Sequence, residues 1–208
     1  MAAARYPFLV PAVVAGSLVP FVSLAERLRR HLLGANPVAE LLNQLGLLAL
    51  VFLCASLACT PMKLVFGWTW PMRIRKTLGL FAFFSALAHF LVYFVLDQGM
   101  GLRAVAGDIV KRPFILVGAL ALLGLTPLAL TSTRGAVQRL GFARWKRLHR
   151  LVYAVVALAL VHFYWRVKAD HSLPVAYALF VAALFAIRIY AALVKARADA
   201  RRARRAAT

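Results

Sequence analysis

The sequence predicts an all-α membrane protein, a six-transmembrane-helix bundle with both termini in the cytoplasm. Three observations predict it. The chain of 208 residues is 63% hydrophobic, with mean hydropathy +0.81, whereas a soluble domain is nearer half apolar. Six segments reach the length that crosses hydrocarbon, about 20 mostly apolar residues with a range of roughly 17–25. The basic residues gather in the short stretches between those segments, as membrane topology requires. The whole chain, residues 1–208, is expected to form a single transmembrane domain. It leaves no room for a sizeable soluble domain, so nucleotide chemistry in water would fall to a partner.

The first segment is residues 6–24, where Pro7, Pro11 and Pro20 are expected to kink or shorten the helix. Only Arg5 precedes it and no cleavage site is obvious, so it reads as a retained helix and not a removed signal. The second, 38–59, is closed by Thr60-Pro61 and carries Cys54 and Cys59. Five residues apart on a helix, these cysteines do not face each other well enough to bond. With no CxxC or Cys/His cluster nearby, they read as small apolar packing residues. The third segment is 77–96. The fourth, 113–130, places Pro113 in a first turn, where its missing N–H costs nothing. The fifth is 148–165 and the sixth 174–194, followed by a basic tail, 195–208, expected to anchor against anionic lipid.

Orientation follows from charge. One alternating set of loops holds Arg5, Lys63, Arg73, Arg75, Lys76, Arg134, Arg139, Arg144, Lys146, Arg147, Arg150 and the tail, 17 Lys and Arg in all. The other holds Arg27, Arg29, Arg30, Arg103, Lys111, Arg112, Arg166 and Lys168, which is 8. The richer set belongs in the cytoplasm. The net charge of +20 therefore reports topology and does not point to nucleic acid.

The residues that topology does not explain are histidines. His89 and His162 lie inside apolar segments, where an ionisable side chain is costly and marks a functional site. Both segments run outward, and at roughly 1.5 Å per residue the two histidines sit about 18 and 21 Å from their inner ends. Matching depth on parallel helices suits a flat cofactor held between two axial nitrogens, as in a haem. Gly79, Ala82, Ser85, Ala86, Ala154, Ala157 and Ala159 are small residues that could make room, although close helix packing uses the same residues. His149 lies at the inner mouth of the fifth helix. Its counterpart, fourteen residues before His89, is Arg75 and not histidine, and an ideal helix turns His149 well away from the face of His162. An inner bis-histidine site is disfavoured. His31 and His171 fall in outer loops and read as solvated. Arg73, Arg75, Lys76, Arg134, Trp145 and His149 come from two inner loops and could hold a phosphate in guanidinium forks and stack a planar ring on Trp145. Topology-setting charge is the plainer reading of that cluster.

Several fragments, in order, carry a resemblance. They are Gly34-Ala35-Asn36-Pro37-Val38, Thr60-Pro61, Arg73-Ile74-Arg75-Lys76-Thr77-Leu78-Gly79-Leu80 and Leu87-Ala88-His89. After them come Arg112-Pro113, Leu130-Thr131-Ser132-Thr133, then Leu140-Gly141 and Trp145, Leu148-His149, Tyr153, His162 and Trp165. Nearly end to end, the chain resembles the MsrQ (YedZ) family, haem-binding membrane subunits of a bacterial periplasmic methionine-sulfoxide reductase system, within the ferric-reductase-like transmembrane superfamily. The resemblance implies a b-type haem and an FMN in a six-helix protein of the bacterial inner membrane. It implies His89 and His162 as haem ligands and His149 as a third candidate, since members differ in haem count. Relatives with one outer haem can bind a flavin where an inner haem would sit, which agrees with Arg75 opposite His149.

The implied activity is electron transfer. Electrons from a quinol or a cytosolic flavin reductase would leave to the periplasmic molybdenum-cofactor reductase MsrP, which repairs oxidised methionines. No substrate chemistry is expected on this chain alone. A stand-alone metalloreductase would need an electron-donating domain that the sequence lacks. A cofactor-free transporter or structural subunit remains the other class, but the broken helices and inverted repeats of transporters are not found.

Overall fold

The computed structural model describes residues 6–206, so Arg5 and the last two residues of the tail lie outside the described residues. Every regular element among the described residues is helical. The elements are α1 (Leu9–Arg29), α2 (Pro37–Phe66), α3 (Pro71–Leu91), α4 (Leu102–Lys111), α5 (Phe114–Leu130), α6 (Arg134–Leu140), α7 (Phe142–Leu148), α8 (Val152–Arg166) and α9 (Ser172–Ala206). A π-helical stretch, Val92–Asp97, continues α3, and a 3₁₀ turn, His149–Leu151, joins α7 to α8. By length and composition five helical runs can cross a membrane. A sixth pass is possible if α5 is counted with α4, which meets it at a bend of 115°. The protein is a multi-pass membrane protein. Counted as six passes, the runs put both ends of the described chain on one face, called here the terminal face; the other is the distal face.

Proline and charge place the helix ends differently from the sequence pattern. Glu26 accepts from Arg29 at 2.7 Å and from Arg30 at 2.5 Å. These one-turn ion pairs extend α1 to Arg29, so Arg27 and Arg29 belong to a helix and not, as expected, to a loop. Asn36 caps α2 by accepting from the Ala39 N–H at 3.0 Å, with Pro37 next to it in the first turn. The expected stop at Thr60-Pro61 does not occur. α2 continues through Pro61 to Phe66 and ends at Gly67, whose φ of 69° is left-handed. Proline at 61 removes the N–H that would serve the Leu57 carbonyl. Arg188 of α9 supplies the missing donor at 2.5 Å, so the helix survives its proline. The basic tail is also helical, as the end of α9. The short helices α4, α6 and α7 occupy loops in which no element was expected.

α2 is the centre of the bundle. It packs against α3 and α9, while α5 packs against α8. Leu53, Cys54, Leu57, Ala82, Val155 and Val156 form the buried core. Cys54 and Cys59 are buried free thiols, in line with the packing role expected of them. Gly124 lets α5 and α8 close up: a Cβ there would lie 2.6 Å from Val155 Cγ2. Outward-facing apolar side chains such as Val22, Leu123, Leu179 and Ile189 are exposed, as a lipid solvent requires. Stacked Phe66, Trp68 and Trp70 mark the terminal face. Exposed Tyr164 and Trp165 mark the distal one. Aromatic side chains of this kind settle at membrane–water boundaries.

Candidate functional site

His89 on α3 and His162 on α8 meet across a cavity of about 440 Å³ that opens toward the distal face. Their ring centres are 6.1 Å apart and their planes cross at 87°. His89 Nδ1 lies 2.8 Å from the Leu42 carbonyl oxygen, and His162 Nδ1 lies 2.7 Å from that of Phe114. A carbonyl can only accept, so both Nδ1 atoms carry the proton. Each ring is thereby held in one tautomer, with Nε2 bearing the free lone pair.

The same local device anchors both rings. Leu42 and Gly46 lie one turn apart on α2; Phe114 and Gly118 lie one turn apart on α5. A helical side chain leans toward the N-terminus and covers the turn before its own Cα. Glycine leaves that surface bare, so an incoming imidazole can rest on it and reach the carbonyl four residues earlier. The fit is close. A Cβ at Gly46 would lie 3.2 Å from His89 Cε1 and Nδ1, and one at Gly118 would lie 2.7 Å from His162 Nδ1. The pairs α2–α3 and α5–α8 therefore repeat one arrangement, although the sequence has no visible repeat.

Apolar side chains, Leu50, Leu53, Phe90, Leu125 and Val155 among them, line the depth of the cavity. Its mouth is polar, with Asn36, Asn43, Asp97, Arg112 and Arg166. Arg166 donates to Asn43 Oδ1. Arg112 binds Asp108 through two nitrogens, one at 2.6 Å, and lies 3.9 Å from Asp97. Tyr93 Oη donates to Asp108 at 3.0 Å. The π-helical turn widens the end of α3, and this network ties it to α4 over the cavity mouth.

Two imidazoles on one metal need ring centres about 6 Å apart, since a metal–nitrogen bond is about 2 Å and each nitrogen lies about 1 Å from its ring centre. The observed separation fits. Among the described residues no group of three or more His, Cys, Asp or Glu could hold an ion, so a metal here would need ligands beyond these two imidazoles. A planar macrocycle supplies such ligands.

On the terminal side, Trp145 and His149 are brought together, with ring centres 4.1 Å apart. The Trp145 indole N–H donates to the Thr131 carbonyl at 3.0 Å. His149 Nδ1 lies 3.1 Å from the Trp145 carbonyl. Arg75 is half-buried, within electrostatic reach of His149, and donates to Thr60 Oγ1 at 3.4 Å. Arg73, Lys76 and Arg134 are exposed and do not join this group. Of the small residues expected to make room, Ala86 and Ala159 line the cavity. Ala82 and Ser85 are buried in packing, Gly79 faces Ser56, and Ala154 and Ala157 are exposed. His31 is exposed, whereas His171 is half-buried against the Tyr164 ring at 4.6 Å.

The ferric reductase like transmembrane component family matches residues 43–160. A Deinococcus radiodurans protein named protein-methionine-sulfoxide reductase heme-binding subunit MsrQ is 50% identical over 184 residues, 88% of this chain and 91% of its own. The chain belongs to the MsrQ family. Two further relatives with the MsrQ name agree. The one from Rhodospirillum rubrum is 47% identical over 186 residues, 89% of each chain. The one from Herminiimonas arsenicoxydans is 42% identical over 176 residues, 84% of this chain and 81% of its own.

In this MsrQ chain the family match includes His89, Gly46 and Gly118, and His162 follows two residues beyond it. The sequence pattern pointed to both histidines but missed Gly46, Gly118 and the two carbonyls that orient the rings. It counted Arg112 and Arg166 as loop charge. The overlooked signal is a glycine one turn after the accepting residue, present at the same depth on two helices. Gly118→Ala should lower the thermal midpoint of the purified protein clearly more than Gly46→Ala. The first places a Cβ inside the ring contact, and overpacking costs typically about 1–3 kcal/mol. Equal midpoints would contradict this account of the glycines.

Proposed function

We propose that the protein is a haem-binding electron-transfer subunit of the bacterial inner membrane, with His89 and His162 as the two axial ligands of a b-type haem. The observation that carries the reading is the pair of imidazoles with ring centres 6.1 Å apart, each with Nδ1 tied to a carbonyl and Nε2 left free. A metal-ligating histidine commonly donates its other N–H to a backbone carbonyl, which fixes the ring and raises its basicity; both rings here do so. The apolar depth of the cavity suits a porphyrin, and Arg112 and Arg166 at its mouth suit the propionates. The MsrQ relatives are named as heme-binding subunits of a methionine-sulfoxide reductase, which supports the same reading. A haem held there supplies a one-electron carrier whose potential depends on axial ligation and burial.

The charge balance supports a cytoplasmic terminal face, with the haem cavity toward the periplasm. The electron acceptor on that side is MsrP, and the donor is a quinol or a cytosolic flavin reductase. On the cytoplasmic side Trp145, His149 and Arg75 suit an FMN: the indole offers a stacking face and the guanidinium a fork for phosphate. Arg73, Lys76 and Arg134 contribute long-range positive charge to that site. An FMN there supplies a carrier that takes up an electron pair and releases single electrons. His149, hydrogen-bonded to its own helix, orients Trp145 and is not a haem ligand in this reading.

The reduced-minus-oxidised spectrum of the purified protein should show Soret and alpha bands. These should disappear in His89→Ala and His162→Ala and persist in His149→Ala; loss of all haem in His149→Ala would contradict the pairing. Arg75→Ala should lower the FMN content measured by mass spectrometry while haem absorbance stays. Unchanged FMN content would remove Arg75 from the flavin site.

A further inference from the structure

Arg188 is a cation within a membrane-crossing helix that the sequence pattern passes over. It lies sixteen residues into α9, about 24 Å along the helix at roughly 1.5 Å per residue, close to the terminal face. One nitrogen caps the Leu57 carbonyl at 2.5 Å and another donates to Tyr153 Oη at 3.1 Å. Its guanidinium carbon stands 5.7 Å from the Tyr153 ring centre. Nε is buried without a hydrogen-bond partner. Arg75 approaches the same turn of α2 from α3: its N–H reaches Thr60 Oγ1 at 3.4 Å, while Ser56 Oγ donates to its carbonyl at 3.0 Å.

Two guanidinium groups thus lie against residues 56–60 of α2, within electrostatic reach of each other. Neither has a carboxylate partner among the described residues. The acids cannot supply one. Glu26, Glu40, Asp97, Asp108 and Asp170 all lie toward the distal face, and Asp199 is eleven residues beyond Arg188. Like charges brought together near hydrocarbon are costly without a counter-ion. Arg188 is half-buried and its neighbour Tyr153 is 38% exposed, so the site is open at the side of the bundle.

We propose that Arg188 and Arg75 form a phosphate-binding subsite between α2, α3, α8 and α9 at the terminal edge of the membrane. Arg188 keeps Nε without an acceptor, and its guanidinium together with that of Arg75 has N–H groups to spare for phosphate oxygens. Two sources carry such a phosphate, the flavin mononucleotide and an anionic phospholipid of the facing leaflet. The first rests on the flavin reading above; the second does not.

The test uses the haem-loaded protein in nanodiscs and the variant Arg188→Gln, which removes the charge and keeps a polar side chain. Affinities for FMN and riboflavin are read by fluorescence quenching. Thermal midpoints are read in phosphatidylglycerol and in phosphatidylcholine. If the phosphate is the flavin's, Arg188→Gln weakens FMN about tenfold or more, as the loss of a charged hydrogen bond does, and leaves riboflavin unchanged. If it is the lipid's, the wild type melts higher in phosphatidylglycerol, and the variant loses that gain with FMN affinity unaltered. A wild type that binds no FMN removes the flavin reading, and the lipid comparison alone then judges the subsite. The proposal is overturned if Arg188→Gln keeps its Soret band and changes neither quantity. Should that variant lose haem, the wild type decides: equal affinity for FMN and riboflavin together with equal midpoints in the two lipids overturns it as well.

Discussion

Two hydrogen bonds, from His89 Nδ1 to the Leu42 carbonyl and from His162 Nδ1 to the Phe114 carbonyl, hold the site on which the rest of the molecule depends. In a hydrocarbon interior a polar N–H without a partner costs several kcal/mol. A rotated ring would leave its Nδ1–H unpaired, so the cost of desolvation enforces one orientation. The same bonds leave Nε2 of both rings free. The polarity that makes histidine expensive in a membrane thereby becomes the means of aiming it. Gly46 and Gly118 are part of this constraint, because a side chain at either position would stand over the carbonyl that the ring must reach.

The architecture serves that geometry. The pairs α2–α3 and α5–α8 each consist of a histidine helix and an antiparallel helix that presents the glycine and the carbonyl. Close packing within each pair, as at Gly124 against Val155, leaves the open volume between the pairs. Arg112, Asp108 and Tyr93 link α4 to the end of α3 above that volume. Charge is divided along the membrane normal. Five of the six acidic residues belong to the distal half with the cavity, whereas the terminal half is almost purely basic. That field favours anionic groups, phosphates above all, on the terminal side.

The spans and the two histidines were legible in the sequence because each is written in single residues: a long apolar run, or an ionisable group where none is affordable. Helix ends were harder wherever a distant residue overrides a local signal. Pro61 reads as a stop, but Arg188, far along the chain, satisfies the carbonyl that the proline abandons. Arg29 reads as loop until Glu26 is seen to hold it in the last turn of α1, with Arg30 as the capping residue just beyond. The short amphipathic helices fell in segments whose charge already had a topological explanation. Gly46 and Gly118 were missed for a different reason. Glycine in a membrane helix usually signals close helix approach, and its use to uncover a carbonyl for a particular imidazole is a tertiary fact. The cluster around Trp145 and His149 was only partly legible, because composition cannot tell Arg75, half-buried, from Arg73 and Lys76, exposed.

The central claim is that two imidazoles, fixed with their planes at 87°, hold one haem iron. Low-temperature electron paramagnetic resonance of the ferric protein tests it most directly, because the signal reports both the axial ligands and the angle between their planes. The ferric protein should show a low-spin centre of the strongly anisotropic type given by near-perpendicular imidazoles. A high-spin signal, or a rhombic low-spin signal from parallel rings, would contradict it.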